Sequence, residues 1–406
     1  MRKFSVYYWS SEAQGAGVPS RIRKWEKLRY DGIEWKDAPI LVARVVSFPL
    51  ARATIVRLFK MRSSIALALS TLAATALGTS YENRTLDEIH QAALKEGDVV
   101  TLWHGGDEKT QQDRLKKAFE ERFPGITLNV TVDLSKYHDG RLDDQLANKN
   151  VYVDSIILQT LHDYPRWKDE GALLNYKPRN FANVASEFKD PEGAYYGYAI
   201  LGWSTSWNTV KYNGSLADFS DALLPELKDK LIFTYPNDDD AVLYAFDLVV
   251  KKLSVKWFDA LIAQNPTWVR GSATPGDQLA LSNTSYVASF ASGGSSGPNK
   301  NTSRPTDAPF VTWPQTAAIL KDAPHPEGAK LLHNYILSDE WQFARTGWTV
   351  RTDAPADFPN IFEEKNTNVT NFLPWMLDRP NVERIRFWYE TRLGTAQGIS
   401  PLDDDL

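Results

Sequence analysis

The chain of 406 residues contains no cysteine. This excludes a disulfide framework, a thiolate metal site and a cysteine nucleophile. Histidine is scarce as well. The six residues at positions 90, 104, 138, 162, 325 and 333 show neither H-E-x-x-H nor H-x3-H spacing, so no zinc site is legible. Internal repeats are absent, and no apolar run is long enough for a comfortable membrane span. Positive charge is thin over most of the chain. Residues 81–406 carry 33 Lys and Arg against 46 Asp and Glu, a net of about −13. That balance argues against nucleic acid and anionic membrane surfaces as partners. What remains, 24% charged and 43% hydrophobic, suits a soluble globular protein of about two domains with sizeable cores.

The amino end differs. Residues 1–60 hold 12 Lys and Arg against 5 Asp and Glu. From Met61 the chain reads MRSSIALALSTLAATALGTS, one Arg, a mildly apolar stretch and then small residues, with Ala74-Thr75-Ala76 fitting a cleavage site. Residues 61–80 therefore read as a secretory signal peptide, and 1–60 as a non-native or basic extension preceding a true start at Met61. The alternative is a signal anchor with a basic tail. Six N-x-S/T sequons, at Asn83, Asn129, Asn213, Asn283, Asn301 and Asn368, fit a eukaryotic secreted glycoprotein.

The region that follows begins with an amphipathic helix over Thr85–Gly97. Val99–Leu102 is a β-branched and apolar strand, Gly105-Gly106 breaks it, Asp107 is placed to cap, and Leu115, Ala118, Phe119 and Phe123 then recur at helical spacing. This strand-turn-helix puts Trp103, His104 and Asp107 at the carboxyl end of a strand, where ligands sit in open α/β sheets. Further strands over 126–132, 151–159, 195–205, 231–235 and 310–320 alternate with helical stretches, the pattern of a parallel sheet covered on both faces. Asp238, Asp239 and Asp240 open a helix and could cap it or ligate a cation. Gly271–Pro275, with Ser272, is another loop entering a helix. Gly293–Pro309 reads as a surface loop. Its G-x-S-x-G match, Gly293–Gly297, lacks the following helix that a hydrolase elbow needs. Trp103, Trp203, Trp207, Trp268 and Trp313 read as core, or as a cleft that stacks on rings or holds an organic cation.

Five segments, VVTLWHGGDEK, VDSIILQTLHDYPRWKDEGALLNYKP, YAILGWSTSWNTV, LKDKLIFTYPNDDD and AAILKDAPHPEGAKLLHNYILSDEWQ, spread in that order over residues 85–350. Together they resemble the type II periplasmic solute-binding proteins, on the ferric-ion-binding branch of ABC import systems. The resemblance implies an α/β, two-lobed periplasmic-binding-protein-like II fold with two hinge-crossing strands near Leu201–Trp207 and Phe310–Ile319. It assigns 81–206 and 311–406 to lobe 1 and 207–310 to lobe 2. It implies a monomer that captures a small molecule or ion in the interlobe cleft, with hinge closure. In that branch the first loop supplies a His, the second a carboxylate and the far lobe a Tyr-Tyr pair. These positions fall here on Asp107, Gln159 and Ser285-Tyr286. One tyrosine survives and a neutral Gln replaces a charge, so the metal set thins to Asp107 and Tyr286, leaving a metal ion or chelated metal as one possible ligand. The expected cleft is lined by Trp103, His104, Asp107, Gln159, Asp238, Ser272, Ser285 and Tyr286. The alternative is an enzyme on the same scaffold using His104 or Asp107 as acid/base group. Thiamine-pyrimidine synthases of this fold rely on a cysteine-rich motif, which the chain lacks.

Overall fold

Local signals set the elements of the computed structural model, which describes residues 80–292, 296–344 and 347–403. The signal-peptide and extension readings over 1–79, the Gly293–Ser295 part of the glycine-serine motif and the end of the acidic tail lie outside the described residues. In chain order the strands are β1 (Val99–Gly105), β2 (Thr127–Asp133), β3 (Ser155–Leu158), β4 (Tyr196–Gly202), β5 (Ser204–Asn208), β6 (Ile232–Thr234), β7 (Thr267–Val269), β8 (Ala288–Ser292), β9 (Lys300–Ser303) and β10 (Thr312–Ile319). The helices are α1 (Leu86–Glu96), α2 (Asp113–Arg122), α3 (Ser135–Ala147), α4 (Asp163–Asp169), α5 (Asp240–Leu253), α6 (Val255–Ala263), α7 (Thr274–Ala280), α8 (Pro326–Ile336), α9 (Asp339–Gln342), α10 (Phe372–Leu377) and α11 (Arg379–Leu393). Helix α1 shows why such signals work. Thr85 and Glu88 form a reciprocal capping box, Asp87 and Glu88 sit at the positive end, and Lys95 sits at the other.

The larger sheet has the order β2-β1-β3-β10-β4. Strand β1 runs parallel to β2 and β3, whereas β10 runs antiparallel to β3 and β4. The parallel pattern expected from sequence therefore stops at β10. Every residue of β3 and β10 is buried, as two-sided coverage demands. Val100 and Leu102 on one face pack with Phe119 of α2 and Leu331 of α8. Trp103, Ile156 and Leu158 on the other pack with Leu142 of α3 and Trp167 of α4.

Two crossings join this sheet to a second core. Strand β4 continues through Trp203 into β5, the centre of the sheet β8-β5-β9, and Val311 leads back into β10. The two crossings touch: the Trp203 amide donates to the Val311 carbonyl at 3.2 Å. A Cβ on Gly202 would lie 2.8 Å from Thr312 Cγ2, so only glycine lets the crossing strands approach this closely. The second core gathers α5 and α6 with Phe372, Trp375, Met376, Val382 and Tyr389. Residues 372–393 are apolar on the face that meets Tyr244 and Phe246, and that face is buried in this second core. The stretch 293–309, read as loop, contains β9. Its strand state comes from pairing with β5, which its polar sequence does not signal.

His333 on α8 is buried between two hydroxyls, with Ser155 Oγ 2.7 Å from Nε2 and Tyr196 Oη 2.6 Å from Nδ1. Burial pushes its pKa down to about 3. The folded protein keeps this ring neutral where the unfolded chain protonates it, so the group destabilises the fold as pH falls below about 6.5, by on the order of 3 kcal/mol at pH 4. The melting temperature of the His333→Gln variant should accordingly depend less on pH between 6.5 and 4 than that of the parent. Parallel curves would show that His333 does not carry the effect.

Candidate functional site

Where the carboxyl end of β1, the start of α3 and the loop after β3 face the second lobe, they bound a cavity of about 460 Å³. Gly105, Gly106, Asp107, Ser135 and Gln159 form the near wall, Trp203, Trp313 and Gln315 of the crossing strands the floor, and Asp239, Ser272, Asp277 and Lys300 the far wall. Gly105 is required by close approach. A Cβ there would lie 2.0 Å from Ser135 Oγ, which instead accepts the Gln159 amide at 3.0 Å and ties the loop after β3 to α3. Trp203 and Trp313 meet edge to face with ring centroids 5.2 Å apart, and the Trp313 indole donates to Gln315 Oε1 at 3.1 Å.

The walls are joined by hydrogen bonds across the cleft. Asp107 Oδ2 accepts from the Ser272 amide, from Ser272 Oγ at 3.0 Å and from the Ala273 amide at 3.0 Å. Gln159 Nε2 donates to Asp239 Oδ2 at 2.8 Å. At the edge, Lys136 Nζ reaches Asp238 Oδ1 at 2.7 Å, and Arg270 joins Asp238 Oδ2 at 3.0 Å to Tyr137 Oη at 2.8 Å. Burial raises the Asp238 pKa, but Lys136 and Arg270 outweigh it and hold the carboxyl below its ordinary range. Among the described residues no cation pairs directly with Asp239, although the Lys136 charge acts to lower its pKa. Asp239 caps α5 through the Ala241 and Val242 amides, and crowding by the surrounding protein pushes its carboxyl up to about 6, with Asp240 adding to the rise. Lys300, 7% exposed, has its pKa lowered by desolvation, which the nearby Asp277 opposes.

Of the residues expected to line the cleft, Asp107, Gln159 and Ser272 do so. The others are placed elsewhere. Trp103 stacks on His138 at 4.8 Å inside the α3–α4 core, because alternation along β1 puts it on the face that α3 covers, one turn of α3 deeper than Gly105. His104 is buried edge-on to Tyr198, with Nδ1 2.8 Å from the Gly105 carbonyl oxygen. It sits behind the wall and does not line the cavity that Asp107 lines. Asp238 gives way to its neighbour Asp239 because the cap geometry of α5 directs the latter inward. Ser285 is exposed and Tyr286 half-buried, and neither lines the cavity. The buried Thr284 accepts the Tyr286 amide, and the chain enters β8 only at Ala288. Asp107 and Tyr286 therefore do not form the expected metal set. Nor does Asp107 cap α2, which begins six residues later at Asp113. Lys300, Asp277, Glu108, Ser135 and Gln315 are among the lining groups that sequence reasoning did not single out, whereas Asp239 was named only as one of the aspartate run.

This mixed sheet, second core and intervening cleft define the two-lobed fold of solute-binding proteins. Residues 156–372, just over half of the chain, match the family described as bacterial extracellular solute-binding protein, and the chain belongs to that family. No curated protein sequence matches it. Among solved structures it is similar to iron-bound HitA from Pseudomonas aeruginosa, with 14% identity and a TM-score of 0.55 over 72% of this chain and 99% of that one. It is also similar to AfuA from Actinobacillus pleuropneumoniae with fructose-6-phosphate bound, at 16% identity and TM-score 0.57 over 73% and 99%. A third similar structure is the substrate-binding protein of an ABC transporter from Agrobacterium tumefaciens, at 13%, 0.62, and 73% and 94%. At these identities the likeness is one of fold. Among the described residues no helix is long and apolar enough to cross a membrane.

Proposed function

We propose that the protein is a secreted binder that captures a small organic solute between its lobes, releasing it when the cross-cleft bonds open. The cavity of about 460 Å³ bounded by both walls carries this reading. It lies in the range of small-molecule sites and far exceeds the space of a bare metal ion. In this reading residues 81–206 with 311–371 form one lobe and 207–310 with 372–403 the other, residues 61–80 are the leader, and the mature chain acts alone. The extracellular family and the exposure of all six sequon asparagines support secretion of a glycoprotein.

Thermal melts of the secreted protein across amines, sugars, sugar phosphates, organic acids and ferric citrate test the capture. A ligand at about 100 times its dissociation constant should add about 2.7 kcal/mol of stability. A melting curve that none of these moves would sink the proposal. Peptide N-glycosidase treatment should lower the mass of the same material, and its amino-terminal peptide should begin after Ala76. An unchanged mass, or a start within residues 1–60, would count against the secretory reading.

A further inference from the structure

Far from the cleft, the outer strand of the larger sheet combines an open edge with a sequon. Among the described residues β2 pairs with β1 alone. The Thr127 amide donates to the Asp98 carbonyl at 2.6 Å, and the Asp133 carbonyl accepts from the Gly106 amide at 3.0 Å. The peptide groups of residues 127, 129, 131 and 133 therefore face β1, and those of Leu128, Val130 and Val132 face outward. At Leu128 the outward groups are taken by α2: the amide donates to Glu120 Oε1 at 3.0 Å and the carbonyl accepts from Lys116 Nζ at 2.8 Å. Among the described residues no side chain does the same for Val130. The strand is also of a composition that pairs readily. Residues 126–132 read ITLNVTV, rich in β-branched side chains and without charge, proline or glycine. An exposed edge of this kind templates pairing with another chain.

The sequon Asn129-Val130-Thr131 lies at the centre of this stretch. Asn129 and Thr131 are both exposed, on the face of β2 opposite the buried Leu128. We propose that an N-linked glycan on Asn129 covers the free edge of β2 and keeps copies of the chain from joining edge to edge. Such a glycan is bulky and hydrated. An incoming strand would lie only about 4.8 Å from β2, in the space the sugars sweep. The proposal rests on the secretory reading and assigns a task to one of its sequons. Asn301 also stands on an edge strand, β9, but there Gly297 exchanges two backbone hydrogen bonds with Lys300 and closes part of the outer side.

Peptide mapping after N-glycosidase treatment of the full chain, secreted from a eukaryotic host, reads the occupancy of each sequon. Gel filtration reads association. Asn129 should be occupied and the parent monomeric. Asn129→Gln and Thr131→Ala each remove the sequon, and each should lose the monomer peak to oligomers that bind thioflavin T. Thr131→Lys removes the sequon as well but sets a charge beside the edge, and it should stay monomeric. Asn213→Gln, which removes a sequon outside the strands, should also stay monomeric. Circular dichroism melts show that the variants remain folded. An unmodified Asn129 beside occupied sequons elsewhere overturns the proposal and leaves the secretory reading standing. A monomeric Asn129→Gln does the same, as does equal association of Thr131→Lys and Thr131→Ala. If no sequon is occupied, both fall.

Discussion

Replacing Asp107 with alanine should open the cleft and weaken solute binding on the order of 100-fold. The side chain is 6% exposed, and its Oδ2 accepts three donors from the opposite wall, two from Ser272 and one from Ala273. A hydrogen bond to a charged group contributes roughly 1.5–3 kcal/mol. Water can reach these donors once the walls part, so the net loss to the closed state is about 3 kcal/mol rather than the sum of three bonds. The solute contacts both walls only when they are together, so its apparent affinity scales with the closed fraction. Association should quicken as dissociation quickens more, because the entrance no longer has to be unlatched. Asp107→Asn keeps one neutral acceptor and should fall between parent and alanine variant. Small-angle scattering supplies the independent readout: a larger radius of gyration for Asp107→Ala than for the parent. Identical scattering and unchanged affinity would show that this bridge does not hold the walls.

The second large effect is on stability. Phe246 on α5 is 4% exposed and meets the rings of Phe233, Phe258, Trp268 and Tyr389 at centroid separations of 5.9–6.1 Å. Phe246→Ala should cost about 3–5 kcal/mol, from lost apolar burial and from a cavity that rigid aromatic neighbours fill poorly. Phe387 on α11 offers the control. At 66% exposed it should change stability by less than about 0.5 kcal/mol when replaced by alanine. Urea unfolding followed by circular dichroism separates the two, and equal midpoint shifts would contradict the assigned core. Because the far wall of the cleft is built on this core, Phe246→Ala should also lose solute binding at temperatures where the parent retains it.

Local chemistry made the first half of β1 and helices α1 and α5 legible, since alternation, capping and helical spacing lie within a few residues of each other. The site was less so. Asp107 reads as a helix cap because caps are local, yet its partners lie 165 and 166 residues away. Three consecutive aspartates look alike in sequence, and only the geometry of α5 turns Asp239 inward while Asp238 pairs with Lys136 and Arg270. Lys300 sits in a stretch rich in Gly, Ser, Pro and Asn that gives no sign of β9, because the strand exists through its partner β5. Alternation along β1 was enough to bury Trp103, but the direction of its two faces depended on which helices would cover them.

The packing of α10 and α11 against α5 and α6 also dictates an order of events at the ribosome. The second core cannot be completed while Tyr389 and Val382 are still inside the exit tunnel, although Tyr244, Phe246 and Phe258 have long been outside it. More than a hundred residues of synthesis separate these aromatic residues from their cover, and at 5–20 residues per second that is roughly 5–30 seconds. During that interval the nascent chain presents a bare aromatic face, a natural binding site for chaperones.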